Sequence, residues 1–506
     1  MVAEMRSGAV AGIEGFEVCV EIDIARGLPS LTIVGMPDAA VRESRERVTA
    51  ALRNNGFKLP GQRITINLAP AGVRKEGAAF DLPIAAGILA ASGQAVFRGE
   101  GRAMLVGELA LDGRLKPVRG LLPILCNAVD AGFERAIVPE GNGAEASLAA
   151  GIEIACCADL CEALAVLAGA AGRGPAAQEP KEDVPAGDGL DYGQVIGQEA
   201  AKRALQVAAA GGHHVLMSGP PGAGKTMLAR RFPTILPPLG DDELLECAKI
   251  LSVTGRLGEA APSRRRPFRS PHHSASDAGL VGGGRSALPG EITLAHNGVL
   301  FLDELTEFRR NVLETLRQPL EEGCIVIARA NAVSRYPARF QLLAAMNPCP
   351  CGGAGAPGRC SCSPREITRY RSKLSGPLLD RISIYIGVGP VDARRVEEGG
   401  AGATSGSLRQ GVLRAREMQR SRYRGCAEYR TNADVPLYAL ERFCPMEEGA
   451  RRVLERAQRT LGLSARTRRS IIQVARTIAD LDQSPAIGPA HLAEAVQYRV
   501  PAGLGG

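Results

Sequence analysis

From Phe16 to Ile24 the chain alternates apolar and polar residues, with Phe16, Val18, Val20, Ile22 and Ile24 set against Glu17, Cys19, Glu21 and Asp23. A two-residue period sends alternate side chains to one face, so the segment is a strand with that face on a core. Arg63 to Leu68 repeats the pattern through Ile64, Ile66 and Leu68. Between the two, Asp38 is placed to cap a helix carrying Val41, Val48 and Leu52 at helical spacing, and Gly56 follows as its stop. The front of the chain therefore reads as mixed α+β.

The pattern breaks at 171–190, where AGRGPAAQEPKEDVPAGDG is rich in Pro, Gly and charge and poor in large apolar residues, as a linker is. Beyond it the strands become short and continuously apolar: Val215 to Met217, Val299 to Leu302, Leu342 to Met346 and Ile384 to Ile386. Unbroken apolar strands between helical segments predict a parallel sheet covered by helices on both faces. From Ser407 helical spacing dominates, with Val453, Leu454, Ala457 and Leu461 on one stripe and Ile471, Ile472, Ala475, Ile478 and Ala479 on another. The expected division is 1–170, a linker at 171–190, a core at 191–390 and a helical unit at 391–506. No repeat of fixed period is visible, and the glycines at 282–284 and 399–402 read as loops.

At 506 residues the chain is long enough for about three folded units. Its 45% hydrophobic and 23% charged residues fit a globular protein and exclude wholesale disorder. No run approaches the roughly 20 apolar residues of a membrane span. Met1 to Glu17 lacks the layout of a secretion signal, so the expected location is cytoplasmic. Thirteen cysteines, an odd number in such a setting, predict reduced thiols rather than a disulfide framework. The net charge of +7 is modest. Arginines are dense from Arg409 to Arg430, a run that suits either phosphate neutralisation or a solvated helix face.

The chemistry concentrates after the linker. Gly219, Pro220, Pro221, Gly222, Ala223, Gly224, Lys225 and Thr226 follow one predicted strand and lead into the helical Met227 to Arg231. In that setting glycines expose backbone N–H groups that converge on phosphates, Lys225 reaches the β and γ phosphates of ATP, and the Thr226 hydroxyl ligates Mg²⁺. Asp303 and Glu304 emerge from the apolar run that starts at Gly298, placing Asp303 to complete the Mg²⁺ shell and Glu304 to deprotonate water. Asn347 ends the next strand and is placed to position that water or touch the γ phosphate. Cys349 and Cys351, then Cys360 and Cys362, supply four thiolates suited to Zn²⁺ in an insertion at 349–362, with unliganded thiols or a redox pair as the other readings.

The phosphate loop, the acidic pair, Ser270-Pro-His-His-Ser274, the strand from Gly298 to Leu305 and Gly376-Pro-Leu-Leu-Asp-Arg381 resemble the magnesium-chelatase-like branch of AAA+ ATPases. The whole chain is similar to the ComM/YifB family up to about Tyr498. That resemblance implies an AAA+ α/β core with a C-terminal helical lid, and a hexameric ring in which Arg381 reaches the γ phosphate of the neighbouring subunit. It implies that Arg466 senses nucleotide within its own subunit, and that the load is DNA, single-stranded or branched, moved by a branch-migration helicase in recombination or natural transformation. Candidate DNA contacts are Arg329, in the hairpin expected from Gly323 to Val333, and the basic Ser263 to Ser270 segment; His272 and His273 read as structural. The alternative load is a protein, as in a chelatase-type motor, whose ATPase subunits are expected to lack the front domain and the cysteine cluster.

Lys75 to Leu82 and Gly107 to Leu122 resemble the proteolytic domain of Lon, which implies a Lon-like (ribosomal S5 domain 2-like) α+β front domain. The register places Ala79 where Lon has its serine and Leu122 where it has its lysine. A methyl group cannot attack a carbonyl, and an isobutyl group cannot take its proton, so proteolysis is not expected.

Overall fold

The computed structural model describes residues 2–97, 102–175, 189–257, 263–284, 288–329, 332–354, 360–390, 402–426 and 428–499. Most of the predicted linker and of the loop at 399–402 lies outside them.

The front of the chain builds a seven-stranded sheet from β1 (Val2–Ala11), β2 (Glu14–Ala25), β3 (Ser30–Val34), β4 (Arg63–Ala69), β5 (Ala103–Leu105), β8 (Arg135–Pro139) and β9 (Glu153–Cys157), in the order β3-β4-β2-β1-β5-β8-β9. A small hairpin of β6 (Glu108–Leu109) and β7 (Leu115–Lys116) stands beside it. Val18, Val20, Ile22, Ile64, Ile66 and Leu68 are buried, as their alternation predicts. The helix over Ala39–Asn54 starts at Asp38, whose side chain accepts from the Val41 amide. A second helix, Asp81–Ala91, is buried on nearly every side. Its buried Asp81 is neutralised by a two-pronged bond from Arg47 at 2.6 and 3.0 Å.

A third helix, Leu121–Asp130, crosses β1 and β2 where these carry glycine: a Cβ at Gly8 would lie 2.4 Å from the Ile124 side chain and one at Gly15 2.2 Å from the Pro123 carbonyl oxygen. The same helix packs its other side on the helix Asp241–Thr254 of the following region. There Leu122, fully buried, clusters with Ala248 and Leu257, and the Gly120 amide donates to the Ser252 carbonyl at 3.1 Å. The position that matches Lon's lysine is thus an apolar contact with the second sheet's helices. Ala79 is buried in a separate cluster.

The second sheet has five strands, β10 (Val215–Ser218), β11 (Phe268–Arg269), β14 (Val299–Leu302), β17 (Gln341–Met346) and β18 (Ile384–Gly387), in the order β11-β14-β17-β10-β18. All four pairings are parallel, as the unbroken apolar runs predict. Gly282–Gly283 departs from the loop reading: as β12 it pairs with β13 (Leu288–Pro289), where a Cβ on Gly290 would meet the Gly282 amide nitrogen at 2.5 Å. The predicted hairpin is present as β15 (Cys324–Arg329) and β16 (Ala332–Pro337).

Helices Ser405–Arg422, Glu448–Leu461, Ala465–Leu481 and Pro489–Gln497 follow, and their apolar faces share one continuous hydrophobic cluster with the sheet. Ile471, Ile472, Ala475, Ile478 and Ala479 are buried, but on the other stripe only Leu454 is, and Leu461 is 53% exposed. Periodicity says which side of a helix is apolar, not how far its partners reach. The arginine run divides: Arg416 donates to the Ala209 carbonyl and Arg422 pairs with the buried Asp480, while Arg414, Arg420 and Arg424 are exposed. Among the described residues no helix is long and apolar enough to cross a membrane.

Candidate active site

β10 ends in the phosphate-loop sequence because backbone crowding there admits only glycine at its first position. A Cβ on Gly219 would lie 2.1 Å from the Val388 carbonyl oxygen just beyond β18. Gly222 and Gly224 hold φ of 78° and 91°, the left-handed region open to glycine, and the helix Lys225–Arg231 starts directly after them. Gln198 lies behind the loop, its side-chain amide donating to the Ala223 carbonyl at 3.5 Å and to the Gly389 carbonyl, beyond β18, at 2.6 Å.

Lys225 is folded back onto its loop, donating to the Gly219 and Pro220 carbonyls at 2.6 and 2.9 Å and to Asn347 Oδ1 at 3.1 Å. Burial pulls its pKa down, and Asp303 and Glu304 oppose that by Coulomb attraction. Since β17 lies between β10 and β14, Asn347 at the end of β17 meets the lysine, while Asp303 beyond β14 meets Thr226. Thr226 Oγ1 donates to Asp303 Oδ2 at 2.7 Å, and the other carboxylate oxygen accepts from the Glu304 amide at 2.9 Å. Two hard oxygens at 2.7 Å fit a Mg²⁺ ion, whose adjacent octahedral ligands stand about 2.9 Å apart. Glu304 has φ 51°, unusual for a residue with a side chain and typical of functional positions, and turns its half-exposed carboxylate outward. His273 Nδ1 lies 3.4 Å from Glu304 Oε2. The histidine that reads as structural in sequence therefore touches the candidate base. Its place in the Ser270 to Ser274 motif is the signal that could have found it.

The structure gathers the 219–226 loop, Asp303, Glu304 and Asn347, and leaves Arg381 and Arg466 apart from them. Both of these arginines donate to one oxygen, Oε1 of Glu321, Arg466 at 2.7 Å. Glu321, an ordinary surface acid by its sequence, had no signal to mark it. The side chain of Arg329 lies outside the described residues. The basic Ser263 to Ser270 segment is largely spoken for: Arg264 pairs with Asp241 at 2.6 Å, Arg266 with Glu243 at 2.8 Å, and Arg269 with Glu291 at 2.6 Å. The first two pairs form because the segment runs along the acidic start of the helix Asp241–Thr254, and the third reaches the start of the short helix Glu291–Leu294.

The four cysteines converge. Cys349 Sγ stands 3.4 Å from Cys351 and 3.7 Å from Cys360, Cys351 stands 3.8 Å from Cys360, and all four sulfurs lie within 4.8 Å of one another. Four sulfurs about 2.3 Å from a common zinc ion would be separated by about 3.8 Å, so the donor set fits Zn²⁺. The Ala354 amide points at Cys349 Sγ at 3.2 Å, and the Gly353 and Ser361 amides draw the Cys351 thiol down to about 6. Backbone donors aimed at sulfur stabilise a thiolate at Cys351, the form a metal binds, whereas Cys360 and Cys362, though each also faces a backbone amide, are pushed up with the neighbouring sulfurs so close. The knuckle leans on the phosphate loop: a Cβ on Gly352 would lie 2.5 Å from Pro221 Cδ.

Residues 191–396 match the family described as magnesium chelatase, subunit ChlI, residues 402–499 match its C-terminal part, and residues 20–142 match the family described as subunit ChlI of Mg-chelatase. The chain is 45% identical to the protein YifB of Escherichia coli strain K12 over 97% of its own length and 96% of that protein. It is 44% identical to the competence protein ComM of Haemophilus influenzae, again over 97% of its length and 96% of that protein. A stretch of 142 residues is 30% identical to the Lon protease of Salinispora arenicola, covering 26% of this chain and 18% of the protease.

Proposed function

The chain belongs to the ComM/YifB family of magnesium-chelatase-like AAA+ ATPases, and from that premise we propose that it is a ring-forming, cytoplasmic motor that spends ATP on moving along branched or single-stranded DNA. The observation that carries the ATPase half is the single constellation of Lys225, Thr226, Asp303, Glu304 and Asn347 around one loop. In the proposed reaction the loop amides and Lys225 hold the β and γ phosphates. Thr226 and Asp303 hold Mg²⁺, which when bound neutralises phosphate charge. Glu304 takes the proton of the attacking water, Asn347 orients it, and the bond from the γ phosphorus to the bridging oxygen breaks to give ADP and phosphate. Arg381 of an adjacent copy stabilises the charge on the equatorial oxygens, so that each site is a seam between subunits and a closed hexamer is the working form.

The DNA half rests on full-length similarity to a protein named for competence, with the β15–β16 hairpin and its Arg329 as the candidate contact. A second reading, a chelatase-type motor that remodels a protein, draws on the three magnesium chelatase matches. The front region does not separate the two, since residues 20–142 themselves match a family described by chelatase subunit ChlI. ATPase rate with and without forked DNA at two salt concentrations does. The DNA reading predicts severalfold stimulation that weakens as salt rises, because bound phosphates release counterions. Intact hydrolysis with neither stimulation nor binding at low salt would leave the protein-remodelling motor.

The cysteine knuckle completes the proposal as a zinc site that braces the phosphate loop. Protein purified without chelator is expected to carry about one zinc per chain. Serine at Cys349 is expected to release it and to lower Tm by at least several degrees, since such a site contributes on the order of 10 kcal/mol to ordering its loop. Metal-free protein with unchanged Tm and nucleotide affinity would contradict it.

A further inference from the structure

Arg381 and Arg466 are 85 residues apart in sequence yet meet at one carboxylate oxygen, Glu321 Oε1. Glu321 sits on the short helix Arg317–Glu322, immediately before the β15–β16 hairpin, and is half exposed. The Arg381 side chain is only 8% exposed, and among the described residues its buried Nε has no hydrogen-bond partner. Buried side-chain donors are mostly hydrogen-bonded, so the unmet Nε leaves this guanidinium with capacity for a further acceptor. Its remaining bonds, to Glu321 and to the Pro377 carbonyl, leave the guanidinium gripped at one end and unsatisfied at the neck. The Glu321 carboxyl is held below the usual range, by its bond to Arg381 first and then by the charge of both arginines.

From this geometry we infer that Glu321 is an internal stand-in for a neighbour's γ phosphate: it gathers Arg381 and Arg466 into one unit and releases both together when an adjacent subunit presents nucleotide. The inference rests on the proposed role of Arg381 at the seam, and it extends that role to Arg466. Sharing one oxygen holds the two guanidiniums at one spot, so Arg466 is assigned to the neighbour's phosphate together with Arg381, not to its own subunit as the family resemblance implies. Both ligands are planar, forked donors, and a phosphate presents them with the same kind of oxygen pair as the carboxylate while carrying more charge. A solitary chain therefore keeps its arginines occupied, and the seam forms only when the exchange of carboxylate for phosphate is available.

The test is Glu321→Gln, which keeps the shape of the side chain and removes its charge. ATPase is measured against protein concentration for wild type, Glu321→Gln, Arg381→Ala, Arg466→Ala and the double variant Glu321→Gln/Arg466→Ala. With the restraint gone, Glu321→Gln is expected to reach half-maximal activity at a concentration on the order of three- to tenfold lower than wild type, the size expected for losing two partly solvated ion pairs. Its kcat at saturation and the ATP affinity of dilute protein are expected to stay unchanged. Arg381→Ala and Arg466→Ala are each expected to be inactive, and the double variant Glu321→Gln/Arg466→Ala to remain so. If the arginine variants are dead but Glu321→Gln leaves the half-maximal concentration unmoved, or lowers kcat, the role of Glu321 is overturned and the seam stands. If Arg381→Ala remains active, the seam reading and this inference fall together.

Discussion

Alanine at Arg381 is expected to lower kcat for ATP hydrolysis by about 10³ to 10⁵, the range found when a transition-state guanidinium is removed from phosphoryl transfer. The loss falls on kcat because the arginine meets charge that develops on the equatorial oxygens, and much less on ATP affinity, which the loop and Lys225 supply. Lysine at 381 is expected to recover little, since a point charge cannot reproduce a forked donor on two oxygens. The substitution is not expected to unfold the chain: its main partner, Glu321, is half exposed, and an ion pair of that kind is worth about 1 kcal/mol or less. Single-turnover and steady-state rates, with Tm as the control, measure this directly. A kcat within tenfold of wild type would remove Arg381 from the reaction.

Glutamine at Glu304 is expected to lower kcat by roughly 10² to 10⁴, because the amide can orient water but cannot accept its proton. ATP binding is expected to survive, since Thr226 keeps its bond to Asp303, and Lys225 its bonds to Gly219 and Asn347, without the Glu304 carboxylate. The variant should therefore load ATP and hold the assembled state, which size analysis with ATP checks against the same protein with ADP. Hydrolysis at near wild-type rate would assign the base elsewhere. His273, 3.4 Å from that carboxylate, is the first residue to examine in that case.

How much of this was legible in the sequence follows from what kind of signal each residue leaves. The loop, Asp303, Glu304 and Asn347 could be read because each ends a short, wholly apolar strand, and a parallel sheet brings such ends to one edge. The capped helix at Asp38 and the alternating strands β2 and β4 were legible for the same local reason. The strand over Val2–Ala11 was not, because glycine and alanine blur its alternation where a helix crosses closely, as at Gly8 against Ile124. Long-range pairing was equally silent. Nothing in the sequence says that Arg416 and Arg422 turn inward, that Arg264, Arg266 and Arg269 are matched by acids, or that Glu321 joins two arginines from different elements. A run of arginines is a statement about charge, and only the fold says which of those charges reach solvent.

The leucine that the Lon resemblance aligns with the protease lysine has a structural role of its own. Leu122 is buried against the helix Asp241–Thr254, the next α-helix after the phosphate-loop helix Lys225–Arg231. Beside it Glu145 accepts from the Leu122 amide at 2.9 Å and from the Ser252 hydroxyl, so the front sheet is pinned to the ATPase core by polar as well as apolar contacts. A lysine at this position would need to bury a charge there, which is why the position suits leucine.

The central claim is that ATP is cleaved at a seam to which one chain brings the Lys225 loop and the next brings Arg381. Mixing two inactive variants, Lys225→Ala and Arg381→Ala, tests it most directly. In rings assembled at random from equal parts, about one seam in four joins an intact loop to an intact arginine, so activity should return to about a quarter of wild type. A mixture that forms mixed rings yet stays as inactive as either variant alone would contradict the account.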